Sequence, residues 1–260
     1  MIIDTHIHLN LKQINKNLQQ VLQKSRDAGV KKFIIPAIDS SKMGDIIALA
    51  EKEKDIFFAA GHHPNNTYTA DMDKIRAAAA HEKCVAIGEC GLDWYRIPPG
   101  ASIHNVQNFQ KDMFRKQLAL AQELDKPVIL HSRETDDDML EVLSEFSVKA
   151  VIHCYIGGEK HLSLIDKGFY YGIGGVFTYS NSEEFKKNIK KIPVTQLLLE
   201  TDGPFLLPAP AKKKFGRVVN TSEYLPYVSS EIAKTLNVDQ KELEKVLFEN
   251  SIRLFPQLAN

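Results

Sequence analysis

The sequence IIDTHIH at residues 2–8 is a short apolar run that becomes polar at alternate positions towards its end. Seven more apolar runs recur along the chain, at 32–38, 56–61, 84–89, 127–131, 150–154, 169–175 and 196–201. Most of them are continuous and rich in Ile, Val, Leu or Phe. This composition is typical of parallel strands that are buried on both faces of a sheet.

Amphipathic segments with the spacing of helices separate these runs, clearest at 17–29, 105–125 and 136–146. Eight alternations of strand and helix predict a closed parallel (β/α)8 barrel, or TIM barrel, that residues 1–260 form as a single domain. An open doubly wound α/β sheet is the main alternative. Beyond the eighth run, the sequence predicts a proline-rich loop at 203–221 and helices at 222–236 and 239–251.

Composition limits the partners and the location of the protein. The 33 basic and 33 acidic residues balance, which argues against a protein that coats nucleic acid non-specifically. Three cysteines without motif spacing predict reduced thiols and a cytoplasmic location. We find neither a secretory leader nor an apolar run of the roughly 18 residues that a membrane helix needs. No apolar surface stripe is evident, so we expect a monomer.

The first run places two histidines on one face of a strand. Successive side chains of a strand alternate, so Asp4, His6 and His8 point the same way. A lone buried histidine is usually a core residue with its hydrogen bonds satisfied. Two of them at positions i and i+2, at the end of an apolar strand, instead predict a site for a divalent metal ion.

Metal-ligand residue types also end four of the later runs. In a barrel, the carboxyl ends of the strands gather at the catalytic face. Four histidines and two carboxylates are enough to bind two divalent metal ions. The predicted metal ligands are His6, His8, Glu89, His131, His153 and Asp202.

Two neighbouring ions suit a displacement at phosphorus, because they stabilise both the attacking and the leaving oxygen. Glu89 is the best candidate to bridge the ions, since a carboxylate has two oxygens. Asp202 is predicted to bind one ion and to accept a proton from the attacking water. The four imidazole nitrogens favour Zn, Mn, Ni or Co over Mg.

Six segments of the chain resemble the signatures of the TatD-type metal-dependent deoxyribonucleases, a branch of the metallo-dependent hydrolases: DTHIH (4–8), GHHP (61–64), GECGLDWY (88–95), HSR (131–133), HC (153–154) and ETDGPFL (200–206). The resemblance continues to NSIRLF at 250–255 and so covers essentially the whole chain. It implies a 3′-to-5′ exonuclease that acts on DNA, on single strands or ends, with the same six metal ligands. Mg is commonly used with this family, so the metal stays open among Zn, Mn, Mg, Ni and Co.

The resemblance also implies residues that bind substrate. His63 corresponds to a residue near the scissile phosphate, and is predicted to act in binding and catalysis. Arg217 is a candidate phosphate ligand, although it and Asn220 are spaced more widely than in the family. A second departure is Tyr155-Ile156-Gly157, where the family often has Phe-Ser-Gly. Related phosphotriesterases carry a carbamylated lysine where this chain has Glu89, which favours the TatD-like branch.

Several nearby residues have two interpretations. Arg133 either pairs with a phosphate through its planar guanidinium or forms a salt bridge at a helix start. Asp93 either orients a ligand or contacts substrate, or it forms a turn. Asp4 and Glu200 are expected to accept hydrogen bonds beside the metal ligands.

The rim offers two more alternatives. Lys212–Lys214 either bind DNA phosphates or form a solvated surface. Trp94 and Tyr95 either stack on a terminal base or pack under a loop.

Three functions fit these observations. The leading hypothesis is a metal-dependent phosphodiesterase that hydrolyses DNA by a metal-activated water. The second is a hydrolase that uses the same ions on a small ester, lactone, amide or phosphoester, because one barrel fold supports many reactions. The third is a non-catalytic, metal-stabilised scaffold, which would have a closed coordination shell.

Overall fold

The structure, a computed structural model, describes residues 1–66 and 70–259. Eight parallel strands form one sheet in the order of the chain, and the sheet is a nearly closed (β/α)8 barrel, as the sequence predicts. The strands are β1 (Ile2–Asp4), β2 (Val30–Pro36), β3 (Ile56–Ala60), β4 (Cys84–Asp93), β5 (Val128–Arg133), β6 (Ala150–Ile152), β7 (Tyr170–Ile173) and β8 (Leu197–Leu199).

Helices separate most of the strands. The described α-helices are α1 (Lys12–Asn15), α2 (Leu18–Asp27), α3 (Met43–Lys52), α4 (Met72–Ala79), α5 (Ile103–Glu123), α6 (Asp136–Leu143), α7 (Glu183–Ile189), α8 (Ala209–Phe215), α9 (Leu225–Leu236) and α10 (Gln240–Leu254). Between β6 and β7 a short 3-10 helix, Lys160–Leu164, takes the place of an α-helix. Within the described ranges, no helix has the length and apolarity needed to cross a bilayer.

The chain divides into two compact units. The first contains Met1–Ile35 and Cys154–Asn260, and the second contains Pro36–His153. In the first unit, the Thr5 amide donates to the Leu199 carbonyl at 3.1 Å, which joins the chain beyond β1 to β8. In the second unit, β3, β4, β5 and β6 pair in parallel, and α5 packs on β4. That residues 1–260 form a single domain stays a prediction.

The strands end at positions that differ from the ends of the apolar runs: β4 and β5 extend beyond them, and the other six strands end earlier. β1 ends at Asp4, so His6 and His8 lie in the segment that follows it. β4 continues through Glu89 to Asp93, and β5 continues through His131 to Arg133. The apolar pattern misses these extensions because Gly91 pairs with His131, and Asp93 with Arg133, in a ladder that needs no apolar side chains.

The proline-rich loop predicted at 203–221 is wrong in part, because it contains helix α8. Pro210 lies in the first turn of α8, where an amide would have no partner within the helix. Gly216 has φ of 75° and ends the helix in a conformation that favours glycine. Lys212–Lys214 therefore lie on a helix and not on a loop.

Candidate functional site

His6, His8 and Asp202 lie together in the first unit. The Nε2 atoms of His8 and His6 are 3.2 Å and 3.7 Å from Asp202 Oδ1. Backbone hydrogen bonds maintain this arrangement, because the Asp202 amide donates to the His6 carbonyl at 2.9 Å and the His8 amide donates to the Gly203 carbonyl at 2.8 Å. One oxygen of Asp202 is therefore close to both imidazoles.

Asp4 is fully buried below this group. Its carboxylate accepts hydrogen bonds from the hydroxyls of Ser222, at 2.6 Å, and Thr201, at 2.7 Å, and from the Thr201 amide at 3.0 Å. Burial raises the pKa of Asp4 to about 7, against the opposing effect of these hydrogen bonds. Asp4 thus fixes the backbone at Thr201, next to Asp202. We therefore expect Asp4 to act on the site through the backbone next to Asp202 and not as a metal ligand itself.

Glu89 lies at the centre of an imidazole cluster in the second unit. Its Oε1 atom is 2.8 Å from His131 Nδ1, 3.5 Å from His63 Nε2 and 3.7 Å from His153 Nε2. One carboxylate oxygen is therefore shared among three rings. His63, Glu89 and His131 each offer a ligand atom within 4.8 Å of the others.

Two glycines of β4 allow the close packing of this cluster. A Cβ atom on Gly91 would lie 2.0 Å from the His131 carbonyl oxygen, and one on Gly88 would lie 2.7 Å from the Ile129 carbonyl oxygen. Gly91 has φ of 144° and Gly88 has φ of 147°, which other residues rarely adopt. Glycine at these positions lets β4 approach β5 closely enough for Glu89 to reach His131.

His131 lies between two carboxylates. Its Nδ1 faces Glu89, and its Nε2 is 3.2 Å from Asp93 Oδ2. Burial disfavours the protonated ring, but the hydrogen bonds to Asp93 and Glu89 outweigh it and raise the pKa of His131. Asp93 therefore orients a predicted ligand, and its other oxygen also accepts from the Tyr95 and Arg96 amides at a turn. The structure has the contacts that both interpretations require, and the role of Asp93 beside a metal ligand stays a prediction.

Asn65 supports the same network, and sequence reasoning missed it. Its Nδ2 donates to Asp93 Oδ2 at 2.8 Å. Although burial opposes the shift, hydrogen bonds from His131 and Asn65 hold the pKa of Asp93 well below its usual range. The only available signal was the position of Asn65 directly after GHHP.

One ring nitrogen of His63 accepts a hydrogen bond from the backbone. The Asn65 amide donates to His63 Nδ1 at 3.0 Å, so the neutral ring carries its proton on Nε2. Burial and the nearby His131 lower the pKa of His63 to about 4, against the pull of Glu89. A neutral ring with a proton on Nε2 is suited to donate a hydrogen bond and not to bind a metal through that atom.

The arginines differ in their surroundings. The Arg133 guanidinium lies 3.7 Å from the centroid of the Tyr95 ring and has no ion pair with a described carboxylate. Among the described residues the structure has this stacking and not the helix-start salt bridge, and the phosphate contact stays a prediction. Trp94 donates through Nε1 to Asp138 at 3.0 Å, which favours packing for this ring. Arg217 is exposed, and its predicted role is untested.

Glu200 holds the start of the segment after β6. Its Oε1 accepts a hydrogen bond from the Cys154 amide at 2.6 Å, where Cys154 has φ of 47°. A Cβ atom on Gly172 would lie 2.1 Å from Glu200 Oε2, so a larger residue at this position in β7 would displace the Glu200 carboxylate. Glu200 thus orients the chain next to His153.

The residues of both units fit divalent metal ions. In each unit a carboxylate oxygen lies 2.8 to 3.7 Å from imidazole nitrogens, as expected for neighbouring ligands with bonds of about 2.1 Å to one ion. His8 Nδ1 is buried and has no hydrogen-bond partner among residues 1–66 and 70–259. Imidazole and carboxylate donors together suit Zn, Mn, Ni and Co.

Relatives of known family have the same overall length and fold. The sequence is 34% identical to the uncharacterized metal-dependent hydrolase YabD of Bacillus subtilis, over 98% of this chain and 99% of the relative. It is 32% identical to a protein of Pantoea ananatis named 3′-5′ ssDNA/RNA exonuclease TatD, over 97% and 98%. The crystal structure of the TatD homologue YJJV from Escherichia coli superposes with a TM-score of 0.88 at 29% identity, and 98% of each chain is covered.

The family of TatD related DNases matches residues 3–256, which include every predicted metal ligand. This match and the relatives above agree with the signature segments and with the barrel. The chain therefore belongs to the TatD related DNase family of metal-dependent hydrolases.

Proposed function

We propose that this hydrolase cleaves phosphodiester bonds of DNA as a 3′-to-5′ exonuclease on single strands or ends. The observation that carries the proposal is the presence of imidazole–carboxylate groups in both units, at strand ends of a barrel. A relative named as an exonuclease on single-stranded DNA and RNA supports the same reaction class.

The proposed metal ligands are His6, His8 and Asp202 from the first unit, and Glu89, His131 and His153 from the second. Four histidines and two carboxylates match the supply that two divalent ions need. Bound ions would supply an acidified water as the nucleophile and would neutralise negative charge at the phosphate. Glu89 is proposed as the bridging carboxylate.

Asp202 is the proposed general base. Its side chain is 17% exposed, whereas that of Glu89 is 3% exposed, so Asp202 is the carboxylate that water reaches more easily. Its backbone has φ of 54°, and its amide donates a hydrogen bond to the His6 carbonyl. Together these fix the direction of the carboxylate. A proton from the attacking water would pass to Asp202.

His63 and Arg133 are the proposed phosphate contacts. The proton on His63 Nε2 can be donated to a non-bridging oxygen, since the Asn65 amide occupies Nδ1. Arg133 has a guanidinium that stacks on Tyr95, so its N–H edge remains available for two phosphate oxygens. Arg217 is kept as a third candidate, because it is exposed and cationic.

Purified protein with added Mn²⁺ or Mg²⁺ should shorten a 5′-labelled single-stranded oligodeoxynucleotide one nucleotide at a time. Glu89→Gln should abolish the shortening, because it removes a negative charge shared by three imidazoles. Glu145→Gln is the matched control, since Glu145 only forms an exposed ion pair with Arg115. Full activity of Glu89→Gln would contradict the proposal.

The alternative of a small-molecule hydrolase is tested in the same experiment. Matched turnover assays on single-stranded RNA, a nitrophenyl phosphoester, a lactone and a dipeptide would show which bond is cleaved fastest. Faster turnover of a small substrate than of DNA would replace the proposal with the second hypothesis. The monomeric state and the cytoplasmic location stay predictions.

A further inference from the structure

The segment 203–222 has a charge unlike that of the rest of the chain. It contains Lys212, Lys213, Lys214 and Arg217 and no aspartate or glutamate, although acidic and basic residues balance over the whole sequence. All four cations are exposed. None has an ion pair with a carboxylate in the part of the chain that the structure describes. The segment is therefore a local positive surface with no acidic partner of its own.

Phe205 is a large aromatic residue in an exposed position of this segment. Its exposed fraction is 48%, and its ring centroid lies 6.3 Å from that of His8, a proposed metal ligand. The rings are inclined at 67°. An exposed ring beside a proposed metal ligand is available to stack on a planar group such as a base.

The backbone around Phe205 is held in place by Asn220. The buried Asn220 side chain donates through Nδ2 to the Phe205 carbonyl at 2.6 Å and to the Thr201 carbonyl at 3.0 Å. The Phe205 amide also donates to the Asp202 carbonyl at 2.9 Å. The ring is therefore carried by a loop that is tied to the same backbone as Asp202.

Helix α8 continues the surface beyond Phe205. Lys214 lies with its Nζ atom 5.0 Å from the centroid of Phe215, and Phe215 packs against Tyr224 at 5.9 Å between centroids. Phe215 is 45% exposed. Cations interleaved with exposed aromatic rings are the combination that binds single-stranded nucleic acid, because cations contact phosphates and rings stack on unpaired bases.

We propose that residues 205–217 bind the single strand, with Phe205 stacking on an unpaired base beside the metal ligands and Lys212–Lys214 and Arg217 contacting phosphates. This inference rests on the proposed function and names the substrate as nucleic acid with accessible base faces. A base inside a duplex, whose two faces are covered by its neighbours, would not offer such a face to Phe205.

The first test measures binding of a fluorescein-labelled oligothymidylate of about 12 nucleotides by anisotropy, with chelator present to prevent cleavage. Phe205→Ala should weaken binding about tenfold, as loss of one stacked base does. Phe205→Trp should bind at least as well as the unaltered protein, whereas Phe205→Leu should resemble Phe205→Ala. On a strand of the same length without bases, all four proteins should bind equally.

The second test separates the cations from the ring. Lys212→Ala/Lys213→Ala/Lys214→Ala should lower the slope of log affinity against log salt by about 2, since each phosphate contact on a single strand contributes about 0.7. This loss should be the same with and without bases. The matched control is Lys190→Ala/Lys241→Ala/Lys245→Ala, which removes three exposed lysines of the same unit and should leave the slope unchanged.

The outcomes distinguish this inference from the proposed function. Equal affinity and salt slope for all variants, in a protein that cleaves DNA, would overturn the inference and leave the function intact. Binding that depends on Phe205 and the lysines, in a protein that cleaves no DNA or RNA, would support the surface and overturn the nuclease proposal. Failure of the unaltered protein to bind the oligonucleotide would also overturn the inference.

Discussion

At the scale of single residues, His131 has a carboxylate on each side of its ring. Glu89 faces Nδ1, and Asp93 faces Nε2 while also accepting a hydrogen bond from Asn65. A carboxylate that accepts from the second ring nitrogen of a metal-binding histidine fixes the ring orientation and makes the ring a stronger ligand. Asp93 is thus a positioning residue for His131.

We expect Asp93→Ala to lower metal affinity about 10- to 100-fold, because the His131 ring loses its fixed orientation. Competition with a chromophoric Zn²⁺ chelator measures this directly. Asp93→Asn should recover much of the affinity, since its side-chain oxygen can still accept from His131 Nε2. Equal affinity of Asp93→Ala and the unaltered protein would contradict the positioning role.

The pKa of His63 gives a second prediction at this scale. In metal-free protein, an NMR titration of the ring should show a midpoint near 4. Because this value lies below the unfolded value of about 6.5, the unfolded state binds the proton more readily between these pH values. His63 therefore lowers stability as pH falls from about 6.5 to 4 and has no such effect above 6.5. A midpoint at or above 6.5 would contradict the neutral ring.

The residue types at the site were predictable, but their partners were not. The alternation expected of a strand led to His6 and His8, although β1 ends at Asp4 and both lie in the segment after it. The gathering of strand ends led to Asp202, and the structure has all three residues close together. The Asn65 amide on His63 and the Asn65 side chain on Asp93 depend on the fold of a turn whose sequence carries no periodic signal. Hydrogen bonds of this kind depend on the backbone path of the turn, which the residue types alone do not predict.

At the scale of elements, the apolar runs predicted eight strands, and the structure has eight. Boundaries were less predictable, because β4 and β5 extend through polar and glycine residues that pair by backbone alone. The sequence did not predict helix α8, because Pro204, Pro208 and Pro210 favoured a loop. Pro210 lies in the first turn of the helix, where proline is tolerated. The ends of β4 and β5 and the formation of α8 depend on packing against neighbouring segments, which local sequence does not show.

Asn250 links helix α10 to the start of β8, the strand before Asp202. Its buried Nδ2 donates to the carbonyls of Val194 and Leu197, at 2.8 Å and 2.9 Å. Asn250→Ala should lower the free energy of unfolding by about 3 kcal/mol, because two buried carbonyls lose their donor. Urea denaturation measures this change. The exposed Asn108→Ala should change stability by less than about 0.5 kcal/mol, and an equal effect of both would contradict the link.

At the scale of the whole molecule, residues 1–260 are predicted to form one domain, although the chain divides into two compact units. The eight strands form one sheet, which supports the prediction of a single domain. We expect one cooperative transition in urea. Trp94 is the single tryptophan and reports on the second unit, whereas far-ultraviolet circular dichroism reports on both. Separate midpoints for the two signals would contradict a single domain.

The central claim is that the four histidines and two carboxylates of the two units bind divalent ions. Elemental analysis of purified protein, dialysed against Zn²⁺ or Mn²⁺ and then against metal-free buffer, tests it most directly. The account predicts about two ions per chain, with loss of bound metal in Glu89→Ala and in Asp202→Ala. A protein that retains no metal, or variants that retain as much as the unaltered chain, would contradict it.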